Sequence, residues 1–242
     1  MSADHDRDSL FRDPERTGPF AFDEQVARVL PDMLERSIPG YAALRDLIAV
    51  LSSHLPGQRL RAYDLGCSLG AVTTAILAGA GARPVEVVAV DSSPAMIERF
   101  RAQLGADETR VELRCEDVLV TPISSANLLV LNFTLQFVPA EERSGLLARL
   151  AAGLLPGGAL VLSEKTRPEP ADEALFDALH DEFRRQRGYS DLEIARKRKA
   201  LERVLVPERA SAHVERLQQV GLAPVEWFRG LGFVSWLAFK PS

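Results

Sequence analysis

Cysteine is scarce: Cys67 and Cys115 are the only two in 242 residues. Two thiols build no disulfide framework, and this usage fits a reducing compartment. Histidine is nearly as rare. His5, His54, His180 and His213 are scattered, and neither they nor the thiols have metal-ligand spacing, so no metal is expected. No apolar run approaches the length of a transmembrane helix, and the first residues carry no apolar signal segment. The expectation is a cytoplasmic protein without a membrane partner. Positive charge is not in excess: 29 Lys and Arg against 34 Asp and Glu leave a net charge of −5. That balance argues against a general nucleic-acid binder. Internal repeats and low-complexity segments are also missing. What is present is 46% hydrophobic residues, enough to bury a substantial core.

The apolar segments alternate with helical spacing. Phe22, Val26, Val29, Leu30, Met33 and Leu34 predict an amphipathic helix over 22–37, stopped near Pro39-Gly40. A second helix is predicted over 42–54, with Tyr41 at its start. From residue 58 strand and helix alternate: strand 59–64, helix 70–80, strand 85–91, helix 94–103, strands 111–115 and 127–133, helix 140–154, strand 159–164. Helical connectors between apolar strands mean βαβ units and a mostly parallel sheet. Residues 168–203 interrupt the alternation with a helical insertion, in which Ser190 and Glu193 form a capping box. After a helix over 210–220, segments 224–229 and 233–239 predict an antiparallel hairpin. The organisation expected is a mobile N-terminal segment, residues 1–20, and one α/β domain, residues 21–242.

Two stretches carry chemistry. Arg61-Ala-Tyr-Asp-Leu-Gly-Cys-Ser-Leu-Gly70 reads as a buried strand, a glycine-bearing turn and a helix start. Its glycines allow a tight turn and leave the main chain bare for a ligand. Such a turn lies at the carboxyl end of a strand, where open α/β sheets bind ligands. Val85-Glu-Val-Val-Ala-Val-Asp91 is a second buried strand ending in an acid. An acid at that offset can hold both hydroxyls of a ribose, so the pair points to an adenosine-containing cofactor. A nicotinamide enzyme would show Gly-x-Gly-x-x-Gly, which this chain lacks.

The pattern Asp64-x-Gly66-x-x-x-Gly70, with Asp91 ending the second strand and Glu116-Asp117 the third, resembles the class I S-adenosylmethionine (SAM) methyltransferase fold. The likeness goes further. Arg36-Ser-Ile-Pro-Gly-Tyr41, Ser93-Pro-Ala-Met-Ile-Glu-Arg99, Leu131-Asn-Phe-Thr-Leu-Gln-Phe137, Gly157-Gly-Ala-Leu-Val-Leu-Ser-Glu-Lys165 and Ala195-Arg-Lys-Arg-Lys-Ala200 resemble the carboxy-S-adenosyl-L-methionine synthase family. The resemblance implies that SAM and prephenate are converted to carboxy-SAM and phenylpyruvate. It further implies that a separate tRNA-modifying enzyme uses carboxy-SAM to build 5-oxyacetyl uridine at the tRNA wobble position, and that the protein is a homodimer. The family's cofactor contacts fall on Tyr41, Gly66, Cys67, Ser68, Asp91, Ser92, Asp117, Val118 and Asn132. Its key cation falls on Arg198. Tyr41, Asn132 and Arg198 are the residues the resemblance places at the reacting end.

The chemistry explains the residue types. A sulfonium acidifies the protons of its methyl group, and the resulting carbanion can capture CO2. The product's new carboxylate suits an arginine's planar fork. The resemblance suggests that prephenate aromatises and releases both CO2 and the hydroxide that removes the proton, so no side-chain base is required. Three competing readings stand beside this one. They are an ordinary SAM-dependent methyltransferase, a SAM-binding regulatory protein, and a tRNA binder using Arg184, Arg185, Arg187 and the 196–199 run. In the last, Asp181, Glu182, Asp191 and Glu193 interrupt the basic charge. Cys67 reads as a small buried residue of the turn and not as a nucleophile.

Overall fold

The computed structural model describes residues 6–16 and 18–241. Two helices come first, α1 (Glu24–Ser37) and α2 (Tyr41–His54). The alternating part follows as β1 (Leu60–Leu65), α3 (Ala71–Ala80), β2 (Val85–Asp91), α4 (Pro94–Leu104), β3 (Val111–Cys115), β4 (Ala126–Asn132), α5 (Ala140–Gly153) and β5 (Leu154–Arg167). The insertion is α6 (Glu173–Gln186) and α7 (Asp191–Leu201). The chain closes through β6 (Glu208–Arg209), α8 (Ala210–Gln219), β7 (Ala223–Gly230) and β8 (Phe233–Phe239).

The sheet runs β3-β2-β1-β4-β5-β8-β7, with short β6 beside β5. β1 to β5 pair in parallel, and β8 lies antiparallel to both β5 and β7. Buried strands in such a sheet put alternate residues on opposite faces. Val88, Val90, Leu129, Leu131, Leu160 and Leu162 meet α5 and α8 on one face. Ala62, Val87, Leu128, Val130 and Val161 meet α2 and α3 on the other. β2 and β4 therefore read as continuous apolar runs, with no polar alternation.

Three details differ from the pattern reading. β5 is far longer than the predicted 159–164, because it pairs on both edges. The Leu155-Pro-Gly-Gly158 turn survives inside it as an irregularity, where Ala126 pairs with Leu154 and Leu128 with Ala159. Second, part of the segment expected to be mobile packs against the body. Asp8 and Phe11 are buried; Phe11 joins Val26, Leu30 and Met33, and Asp8 accepts a hydrogen bond from the Tyr189 hydroxyl. Residues 1–5 and 17 lie outside the described residues. Third, the capping box at Ser190 is present, and Glu193 also pairs with Arg12, tying α7 to the N-terminal segment.

The strand order reverses direction between β1 and β4. Both strands end there, and the turns that leave them define the site.

Candidate active site

The turn after β1 is held open by its own hydrogen bonds. Buried Asp64 accepts from the Thr73 amide at 2.9 Å and the Thr73 hydroxyl at 2.7 Å, both on Oδ2. This fixes the first turn of α3 against the end of β1. Burial pushes the Asp64 pKa up to about 7, against the lowering effect of the Thr73 bonds. Gly66 and Gly70 both have positive φ, +83° and +79°. A Cβ on Gly66 would meet Thr134 Oγ1 at 2.3 Å, and one on Gly70 the Phe100 ring at 2.0 Å. The positive φ of both fits the tight turn expected, while the space beside both positions is taken by protein side chains, Thr134 and Phe100. Ser68, between them, also has positive φ, 52°, a conformation few non-glycine residues adopt.

Asp91 closes the turn from the neighbouring strand. Its Oδ2 accepts from Ser68 N and its Oδ1 from Ser93 N, each at 2.9 Å. A carboxylate has about four lone-pair sites, so each oxygen keeps capacity for a ligand hydroxyl. Burial raises its pKa, opposed by these two amides. Asp117 is exposed, accepts from Leu119 N at 2.8 Å, and precedes buried Val118.

β4 ends in Asn132, whose Oδ1 is buried without a hydrogen-bond partner. A buried amide oxygen left unpaired costs about 1–3 kcal/mol, so its placement favours a donor supplied by a ligand. The next residue, Phe133, sits at φ 63°. Its ring starts an aromatic series: Tyr41 to Phe133 at 6.4 Å, Phe133 to Phe233 at 5.9 Å, Phe233 to His180 at 5.1 Å between centroids. Burial pushes the Tyr41 hydroxyl pKa up and keeps it protonated. Cys67 is buried and its thiol pKa is raised by burial, then by Asp64 and Asp91, so it is held as a thiol.

All ten residues singled out from the sequence line one cavity of about 680 Å³. Gly66, Cys67, Ser68, Asp91, Ser92, Asp117 and Val118 come from the β1, β2 and β3 ends. Tyr41 comes from the start of α2, Asn132 from β4, and Arg198 from α7. Arg198 is more than half exposed and donates from one nitrogen, Nη2, to both carboxylate oxygens of Asp181, at 2.7 and 2.8 Å.

Among the cavity residues that pattern reading did not single out are Lys165, His180, Arg184 and Lys197. Lys197 is buried, donates to Ser37 Oγ at 2.8 Å and lies 3.8 Å from Asp8 Oδ2. Its pKa falls to about 8, through burial first, with Asp8 opposing. Burial likewise lowers His180 to about 3, and neutral His180 donates from Nε2 to the Ser37 carbonyl at 2.8 Å. The signal for Lys165 was its place at the carboxyl end of β5, where the ligand rule for open sheets applies. Lys197 and Arg184 lie in charged helical runs that read as solvated faces.

The arginines of the basic run considered for tRNA have partners within the chain. Arg184 is buried on Asp181, Arg185 pairs with Glu182 and Asp191, Arg187 covers the Phe183 ring, and Arg196 donates to the Phe11 and Arg12 carbonyls. Among the described residues, no cluster of His, Cys, Asp and Glu could hold a metal ion, and no helix is long and apolar enough to cross a membrane.

Residues 62–158 match the family described as "Methyltransferase domain". A carboxy-S-adenosyl-L-methionine synthase of Hahella chejuensis is 47% identical over 97% of this chain and 98% of its own length. One from Marinobacter nauticus is 48% identical over 97% of this chain and 96% of its own. Among solved structures, an O-methyltransferase family protein from Burkholderia thailandensis superposes with a TM-score of 0.62 at 19% identity, covering 94% of this chain and 66% of that one. At that identity the likeness speaks for the fold, which is the class I SAM methyltransferase fold.

Proposed function

The chain belongs to the carboxy-S-adenosyl-L-methionine synthase family and is an enzyme acting on SAM; on that premise we propose that its co-substrate is prephenate and its products are carboxy-SAM and phenylpyruvate. The observation that carries this reading is the composition of one cavity. Asp91 and the unpaired Asn132 Oδ1 suit a ribose and a cationic amino acid, while Arg198 offers a fork for an added carboxylate. A plain methyltransferase has no use for a carboxylate clamp beyond the methyl group.

SAM supplies a sulfonium methyl whose protons are acidic. Prephenate, a dianion, loses CO2 and hydroxide as it becomes phenylpyruvate; the hydroxide takes a methyl proton and leaves as water, and the CO2 carbon bonds to the methyl carbon. The protein's tasks are to hold the partners together and keep bulk water away from CO2. Tyr41, protonated and buried, and Asn132 border the reacting end as polar but uncharged groups. Asp181 engages Arg198 through Nη2 alone, so the rest of the guanidinium edge is left for a product carboxylate to grip in a two-pronged bond. No general base is needed, which agrees with His180 being committed to the Ser37 carbonyl.

Downstream, carboxy-SAM would feed a tRNA-modifying enzyme that builds 5-oxyacetyl uridine at the wobble position. We place the protein in the cytoplasm as a homodimer. Leu175 and Leu179 of α6 and Leu192 of α7 are exposed and would be covered by a second copy.

The test is a mixture of purified protein, SAM and prephenate read by mass spectrometry. Equal amounts of phenylpyruvate and a species one CO2 heavier than SAM are expected. Formation of S-adenosylhomocysteine instead would mean ordinary methyl transfer. Arg198→Ala is expected to lose retention of carboxy-SAM with an unchanged melting temperature; equal retention would remove Arg198 from its role.

A further inference from the structure

Lys165 is a half-buried cation that makes no hydrogen bond or ion pair through Nζ among the described residues. Arg184 is buried, lines the same cavity, and has an Nε with no partner. Its one ion-pair partner among the described residues, Asp181, is shared with Arg198. Lys165, Arg184 and Arg198 thus lie near Asp177 and Asp181, and of the three cations Lys165 is the one whose Nζ has no direct carboxylate partner among the described residues. Burial lowers the pKa of Lys165, and the like charge of Arg184 lowers it further. Buried cations are normally paired, because desolvation without a counter-charge is costly. This arrangement calls for an anion.

The neighbouring surface says what kind. Lys165 is directly opposite Phe233 in the β5–β8 ladder, which puts both side chains on one face of the sheet. Phe233 packs edge-on against Phe133 at 76° and against His180 at 67°. Phe133 adopts its positive φ directly after Asn132, and its amide donates to the Ser163 carbonyl at 2.7 Å. Bulky residues hold such a conformation only where the surroundings impose it. The result is an apolar aromatic floor running between the polar Asn132 and Tyr41 and the cations at Lys165 and Arg184.

We infer that Lys165 and Arg184 form a second carboxylate subsite, separate from the Arg198 fork, that receives a carboxylate of the ring-bearing co-substrate while Phe133 and Phe233 support its unsaturated ring. The inference rests on the reading of the reaction given above and adds the residues that recognise the co-substrate. The unpaired Lys165 ammonium beside Arg184 matches a carboxylate, and the floor distinguishes a cyclic substrate from a small inorganic anion. His180 stays neutral, so Lys165 and Arg184 supply the positive charge.

Lys165→Met separates this role from others, since Arg184 also anchors Asp181 and its loss would disturb α6. KM for prephenate should rise about 10–100-fold, the range for a lost charged hydrogen bond. SAM affinity by calorimetry and the melting temperature should hold, and Lys165→Arg should restore most of the KM. A lowered melting temperature with unchanged KM would mean a structural lysine, and a loss of SAM affinity would assign Lys165 to the cofactor's own carboxylate; either overturns the subsite. Equilibrium binding of phenylpyruvate keeps the two proposals apart. If wild type binds it and Lys165→Met binds it at least tenfold more weakly, the subsite stands even where prephenate is not turned over. If wild type does not bind it, or the variant binds equally, the subsite is wrong even where carboxy-SAM is made.

Discussion

Replacing Asp64 by Asn tests how the ligand turn is held, because the substitution removes a charge and leaves the geometry. Both Thr73 hydrogen bonds converge on one oxygen, Oδ2, so the amide oxygen of Asn can accept both. Burial raises the wild-type carboxyl to about 7 in the fold, against 3.8 for an unconstrained Asp. Between those values the native state retains a proton that the unfolded chain has released. Native stability from this group is therefore fully present below about 3.8 and is lost as pH rises through about 7. Some three units at 1.36 kcal/mol each give about 4 kcal/mol. For a chain of this size that is about 8–16 °C in melting temperature. The assay is differential scanning calorimetry of wild type and Asp64→Asn from pH 3 to 8. The two should melt together at the acid end, and the Asn variant should melt higher at pH 8. Parallel curves would mean that the Asp64 carboxyl is not raised by burial, and a variant that melts lower at every pH would mean that the amide cannot replace the Oδ2 acceptor.

Gly66→Ala should destabilise by about 2–4 kcal/mol in urea unfolding, from its positive φ and the collision with Thr134; adding Thr134→Ala should recover the steric part only. Asn132→Leu should leave the ligand-free melting temperature equal or higher, since it removes an unpaired buried oxygen, while abolishing the rise that SAM induces in a thermal-shift assay. Arg143→Met should cost about 3–5 kcal/mol in urea. That arginine is fully buried, donates to the Val138, Gln136 and Val206 carbonyls, and pairs with Glu208, which would be left without it.

Much of this architecture is legible in the residues. Val85–Asp91 and Ala126–Asn132 are apolar runs ending in polar groups, and that is how buried parallel strands read. Ser93-Pro94 and Ser190 with Glu193 mark helix starts found within a residue of their expected places. The cavity end of each strand follows from the topology, so the acids and glycines there could be found. What escaped is polar and buried. Asp8, Lys197 and Arg184 look like surface residues because periodicity assigns charge to solvent, yet all three are buried, Asp8 and Lys197 on partners far away in the chain. The full length of β5 was hidden by Pro156 and Gly157, which break pairing locally while the strand resumes beyond them.

The bond between Tyr189 and Asp8 spans 181 positions of sequence. On the ribosome, the amino-terminal segment emerges long before α7 exists to receive it. The sheet can assemble from its early strands, but Asp8 has no Lys197 to face until the last quarter of the chain is out. Closure of the cation-bearing wall is therefore a late event of synthesis, and a nascent chain stalled before α7 would carry an adenosine-type turn over a half-built chamber.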